Sequence, residues 1–521
     1  MRYFLTAAAV AVTVLSGAAA PPAQNPFESP AAPVVRNRID ELVFASLKRQ
    51  SLTPANLCSD AVFVRRAFLD VIGTLPTVDE ARAFIDDASP NKRAALIDTL
   101  LGRPEFADYW AMKWGDTLRV KSEFPINLWP NAVQAYHHWI RASIRDNVPY
   151  DRFARELLTS NGSNFRVAPV NFYRALQSKD PTTIASTVAL TFMGTRTESW
   201  PKERLAGMAA FFTQIGYKAT GEWKEEIVFF DPDKAPPAGA QTAPVFPDGT
   251  PGRIAAGQDP REAFAAWLIT PANPWFARAV SNRIWYWLMG RGIIQEPDDI
   301  RPDNPPSNPE LLAYLEKELV TARFDLKALY KLILTSTTYQ LSSIPAQDTP
   351  AAEAGFAHAI LRPLDAEVLV DALNQITGGT EQYQSAIPEP YTFVPPDQRS
   401  ISLGDGSITS TFLEAFGRPP RDSGLASERS SKPTPSQRLQ LLNGGDIQRK
   451  IQQGPKLLAL LQAGGQQALT NLYLAILSRR PTDDEVRAAA AYTQAAGTNR
   501  RQAALDLAWA LINSAEFRYR H

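Results

Sequence analysis

The stretch Asn273–Pro309, NPWFARAVSNRIWYWLMGRGIIQEPDDIRPDNPPSNP, is the densest aromatic run of the chain and decides its fold class. Asn273 is a good N-cap, and Pro274 suits the first helical position, where a missing N–H costs nothing. Gly290 and Gly292 suit the left-handed turn that ends a helix. At 100° per residue, Phe276, Val280, Ile284, Trp287 and Leu288 share one face. Trp275, Trp285 and Tyr286 lie on the other sides. A helix that is apolar nearly all round is a central core element. Arg283 falls inside the apolar face and must find a partner there. Glu296, Asp298 and Asp299 follow the turn and are the expected partners.

Outward from this helix, the chain reads as a series of short helices. Arg36–Gln50 is amphipathic, with Ile39, Leu42, Val43 and Leu47 on one face. Thr77-Val-Asp-Glu80 and Ser307-Asn-Pro-Glu310 read as capping boxes. Further helices are expected over residues 63–72, 92–101, 104–118, 134–146, 150–158, 182–193, 202–212, 261–268, 326–336, 365–376 and 436–442. Residues 223–230 read as a short strand. The 42 prolines keep helices short and loops many. The expected fold is mainly α: two packed helical domains, long Pro- and Gly-rich loops and minor β structure. Asp231–Gly252, rich in Pro, Ala and Gly, is the expected linker.

The ends of the chain look alike. Leu69–Glu80 and Leu474–Glu485 share the spacing of Leu, Pro-Thr and Asp-Glu, and each leads to a Glu-Phe pair, Glu105-Phe106 and Glu516-Phe517. This reads either as one helical motif used twice or as two ordinary capping boxes.

Met1–Ala20 has the pattern of a secretory signal: one positive charge, an apolar core and Ala18-Ala19-Ala20 before Pro21. The expected address is exported, periplasmic or extracellular, with no transmembrane segment in the mature chain. Pro21–Val34 is expected to be a disordered lead-in. Lys and Arg number 54, as do Asp and Glu, so no global field draws the chain to nucleic acid. With one cysteine, Cys58, an intramolecular disulfide is impossible. There is no Gly-x-Ser-x-Gly, phosphate-cradling loop or HExxH, which weighs against an ordinary hydrolase, NTPase or zinc protease.

Taken together, Arg66–Pro76, Asn147–Phe153, Asn273–Pro309, Leu334–Ser336, Phe412–Arg421 and Asn471–Pro481 resemble the planctomycete-type cytochrome-c-associated proteins. These carry a PSCyt-type domain and then a PSD-type domain, both of unknown function. The resemblance implies a PSCyt-type domain over residues 35–230, the linker at 231–252, and a PSD-type domain over 253–521 with its terminal helical motif at 466–521. Relatives typically carry a Cys-x-x-Cys-His haem signature after a segment like Phe192-Met-Gly194. Here the bridge to Glu198 is only Thr195-Arg196-Thr197. Relatives also often carry Cys-x-Cys before a Glu-Arg pair, where this chain has Leu425 and Ser427 before Glu428-Arg429. Losing both suggests that they served one site, which this chain has dispensed with. No cofactor or metal is therefore expected. His137 and His138, adjacent on a helix, cannot easily share one metal.

Two clusters remain as candidate sites. Arg418, Arg421, Asp422, Glu428 and Arg429 form a Pro-framed polar loop. It reads as an internal salt-bridge network or as a pocket for an anion or saccharide. Arg283 with Asp298 and Asp299 reads as a structural ion pair or as an acid–base site. The expected function is a non-catalytic envelope scaffold or binding module. Its expected partners are an anionic small molecule, a polysaccharide (implied only by the resemblance) or other envelope proteins. The alternatives are an enzyme using one Arg–carboxylate cluster and an electron-transfer protein with non-covalent haem.

Overall fold

A computed structural model describes residues 25–235, 243–429, 432–495 and 499–521. The expected signal, residues 1–20, and most of the Pro/Ala-rich part of the linker lie outside them. The described residues hold 23 α-helices, and their largest sheet has three strands, so the protein is mainly α.

The aromatic helix runs from Phe276 to Met289 and is buried on nearly every side, as its all-round apolar character requires. Asn273 Oδ1 accepts from the N–H groups of Trp275 and Phe276, at 3.0 and 3.2 Å, so it caps the helix as expected. Gly290 ends it at φ +85°. Trp287 packs against Trp110 and Trp114 of the helix Pro104–Thr117, with ring centroids 5.4 and 5.3 Å apart. Trp110, Trp114 and Trp285 are at most 2% exposed. One hydrophobic core runs continuously from Ile39 to Phe517.

Several details differ from the sequence reading. The cap of the helix Pro309–Thr321 is Asn308, whose side chain accepts from Leu311 N–H; Ser307 lies one residue too early. The helix expected over 182–193 is α-helical only to Val188 and then widens into a π turn, Ala189–Met193. The strand Glu226–Phe230 has two antiparallel partners, Ile215–Ala219 and Gly162–Ser163, which lie in stretches with no clear alternation. The lead-in is not wholly free. Ser29 N–H bonds Leu57 C=O at 2.8 Å, and Phe27 packs edge-on against the His521 ring. One aromatic residue among prolines is enough to pin the segment.

The two ends share their capping bonds. Thr77 with Glu80 and Thr482 with Glu485 both make reciprocal capping bonds. In each copy one arginine clamps the capping glutamate to the later Glu-Phe pair. Arg103 lies 2.7 Å from Glu80 and 2.6 Å from Glu105; Arg479 lies 2.7 Å from Glu485 and 2.6 Å from Glu516. Phe106 and Phe517 are both buried. The clamping arginines stand at non-equivalent places in the two copies: Arg103 comes 2 residues before Glu105, and Arg479 comes 6 residues before Glu485.

Candidate functional site

A dense cluster of linked charges lies beside the C-terminal end of the aromatic helix. The helix Pro104–Thr117 contributes Lys113 and Asp116. Asp365 and Glu367 stand at the start of the helix Ala366–Thr377. A two-stranded pairing of Arg362-Pro363 with Tyr519-Arg520 sets Arg362 directly opposite Arg520. Like charges facing across a strand pair are unfavourable unless a counter-charge sits between them. Asp70, fully buried, supplies it, 3.2 Å from Arg362 and 2.9 Å from Arg520. Arg362 also donates to the Trp287 and Leu288 carbonyls, where the aromatic helix ends and its dipole favours a cation.

The polar loop closes over this floor. Arg429 bonds Asp116 and Glu367, each at 2.7 Å. Arg421, 1% exposed, lies 2.8 Å from Asp116 and donates to the Gly404 carbonyl at 2.7 Å. Arg418 sits 3.5 Å from Glu367. Gly424 takes φ +78°, and a Cβ there would stand 2.7 Å from the Thr117 carbonyl, so the loop can approach the helix only at a glycine. Asp422 pairs with Lys121 at 2.6 Å, and Glu428 accepts from Ser423 N–H within the loop. The loop arginines thus bridge to Asp116 and Glu367 on the helices beneath, while Asp422 and Glu428 take other partners.

Linked through shared partners, Lys113, Arg362, Arg418, Arg421, Arg429 and Arg520 face four carboxylates, Asp70, Asp116, Asp365 and Glu367. Six cations against four anions leave a positive surplus. Burial alone would raise Glu367, but Arg429 and Arg418 hold it down to about 2. Asp365 is held well below the usual range in the same way, against burial, by Lys113 and Arg520. Lys113 is pushed down to about 8 by burial, which outweighs Asp365 beside it. Between the helices and the loop lies a cavity of about 120 Å3, lined by the cations Lys113, Arg283, Arg362, Arg429 and Arg520 and the carboxylates Asp116, Asp298 and Asp365, among others. It has room for several waters or one small oxyanion.

Arg283 corrects an expectation. It is buried, but it pairs with no carboxylate. It donates to the carbonyls of Thr191 and Leu190, at 2.9 and 3.1 Å, which the π turn leaves available. Asp298 pairs instead with Arg196, at 2.6 Å, and Asp299 with Arg301, at 3.2 Å. Asp298 also accepts from Ala426 N–H at 2.8 Å. One carboxylate thus joins the Thr195–Thr197 bridge to the Leu425–Ser427 segment, the two places where the resemblance puts cysteines in relatives. Cys58 is buried elsewhere, against Arg93. Among the described residues no three His, Cys, Asp or Glu side chains converge to hold a metal, and no helix is long and apolar enough to cross a membrane.

The sequence reading missed Asp70, Lys113, Asp116, Arg362, Asp365, Glu367 and Arg520. Asp70, Lys113 and Glu367 each interrupt an apolar helix face, the signal that singled out Arg283. Nothing local marks Arg362 or Arg520; only the strand pairing brings them in.

No curated protein and no solved structure is similar enough to match the chain. Two family models do match it. Residues 38–206 match PSCyt2, a protein of unknown function (DUF1549), and residues 260–493 match PSD1, a protein of unknown function (DUF1553). The cavity draws Lys113 and Asp116 from the first segment and Arg283, Arg362 and Arg429 from the second. The chain belongs to the two-domain family in which PSCyt2 is followed by PSD1.

Proposed function

We propose that this protein is an exported, non-catalytic helical scaffold whose charged cavity binds a small oxyanion, such as a sulfate or the carboxylate of an acidic sugar. The observation that carries this reading is the surplus of cations around the cavity. Arg362 and Arg520 both line it, and each keeps an Nε–H without an acceptor. An oxyanion would answer both the charge surplus and the guanidinium geometry. Asp365 and Glu367 do not read as general acids, because their Lys113 and Arg429 partners hold them ionised. The link to polysaccharide use belongs to the same proposal, through acidic sugars, and so does an address in the envelope.

The test is thermal unfolding of the mature protein in sulfate and in glucuronate, against chloride at equal ionic strength. A saturable, anion-specific rise in melting temperature supports the reading, and Arg362→Gln should abolish it. Identical curves in all three salts would contradict it. An enzymatic reading has one observation in its favour: Lys113, pushed down to about 8 by burial, stands in the cavity within reach of a general-base role. Its 2.9 Å pairing with Asp365 would have to open first.

A further inference from the structure

A second site lies on the surface, on residues outside the charged cavity. The helix Pro130–Arg145 presents Gln134 and His138, one turn apart, to solvent. The loop residues 392–408 run opposite them, and a groove of about 220 Å3 opens between the two. Beside it stand three aromatic side chains that a folded protein ordinarily covers: Trp223, 67% exposed, Phe393, 66%, and Tyr391, 48%. Phe393 lines the groove itself. The others form one shelf with Trp129, the residue that leads into the helix. The Trp129 ring centroid is 5.3 Å from Tyr391 and 6.4 Å from Trp223, edge to face in both cases. Lys224 lies over both indoles, 5.4 and 5.1 Å from their centroids, and holds them in place.

The groove wall mixes apolar residues with uncharged polar ones. Gln134, His138, Gln398 and Ser402 line it. Asp405 is its one acidic lining residue, and that carboxylate is already engaged by the N–H groups of Ser122 and Ser407, at 3.0 and 2.8 Å. Two lining residues keep a buried polar atom without a partner: His137 Nε2 and Thr392 Oγ1. They are 6% and 9% exposed. Burial, and then Arg421, keep His137 neutral, with its pKa pushed down to about 3. Its ring therefore offers one donor and one acceptor rather than a charge.

We infer that this groove and its aromatic shelf bind a neutral oligosaccharide, with one sugar ring in the groove and its neighbours across the shelf. A pyranose has an apolar C–H face that stacks on an aromatic ring, and hydroxyls that both donate and accept. Amides, hydroxyls and a neutral imidazole answer both needs. The groove is smaller than the roughly 300–1,000 Å3 that encloses a drug-sized ligand, which suits one ring of a longer chain. A nucleic acid would need a basic track, and Lys224 is a single cation at the rim. The inference does not rest on the oxyanion proposal, and either can fail alone.

The experiment is tryptophan fluorescence of the mature protein titrated with cellohexaose, xylohexaose and mannohexaose. At least one should give a saturable change. The double variant Trp223→Ala, Phe393→Ala should weaken that binding tenfold or more at an unchanged melting temperature, because both side chains are exposed. Gln134→Ala, read by calorimetry, should weaken it severalfold. Sulfate should not compete. The inference is overturned if none of the three sugars binds, if the double variant binds as the parent does, or if sulfate displaces the sugar.

Discussion

The charged cavity and the aromatic groove lie on opposite sides of one residue, and they solve different problems. Arg421 donates to Asp116 on the cavity side and to the carbonyl of Gly404, a groove residue, on the other. The cavity is built from ten linked charges, buried and mutually satisfied except for its cation surplus. The groove is built from neutral polar groups and exposed rings. Buried charges stabilise a site only while every partner stays in place, since an orphaned ion loses hydration without recompense. Neutral groups and exposed rings carry no such condition. The cavity should therefore respond to mutation mainly through stability, and the groove mainly through binding.

The strongest way to break this contrast is to remove the residue that serves both. Arg421→Ala takes from Asp116 one of its two arginine partners and from the Gly404 carbonyl its side-chain donor, inside a buried network. It should lower unfolding free energy by about 3–5 kcal/mol in urea titrations. An effect under 1 kcal/mol would mean that the network is dispensable.

Acidification comes next. Burial holds His137 and His521 down to about 3 in the folded chain. Unfolded histidine takes up its proton near 6.5. Between those values the unfolded chain binds more protons, so stability is lost as pH falls below about 6.5. At pH 4.5 each histidine should cost about 3 kcal/mol. The stabilisation from Glu367 and Asp365 is present above the ordinary carboxylate range and is lost only on further acidification. His137→Gln should flatten the melting curve against pH over 6.5–4.5. An unchanged slope would place His137 in water.

Arg283→Ala should cost less, about 1–3 kcal/mol by thermal unfolding, because it strands two carbonyls and no carboxylate. A loss above about 3 kcal/mol would restore the ion-pair reading set aside above. The smallest stability effect belongs to the groove: Trp223→Ala should shift stability by no more than about 0.5 kcal/mol.

How much of this was legible in the sequence follows from how local each signal is. The aromatic helix, its Asn273 cap, its Gly290 stop and the burial of Arg283 all follow from spacing within one turn or two. So does the pair of capping boxes, though not the Arg103 and Arg479 clamps behind them. The loop arginines were visible because they are crowded together. Their partners were not, because Asp116, Asp365 and Glu367 come from two helices far away in the chain. Arg520 reaches the site only through a two-residue strand pairing. The aromatic groove was hidden by a reasonable rule. Tryptophans at helical spacing belong to the core, as Trp110, Trp114 and Trp285 do. Trp223 stands in a turn just before its strand and escapes that rule.

The account's central claim is that the buried network leaves room and charge for one small oxyanion. A crystal of the mature protein soaked in selenate, with anomalous data at the selenium edge, tests it most directly. The account predicts one strong anomalous peak between Arg362, Arg429 and Arg520. A cavity holding only water at saturating selenate, with all four carboxylates still paired, would contradict it.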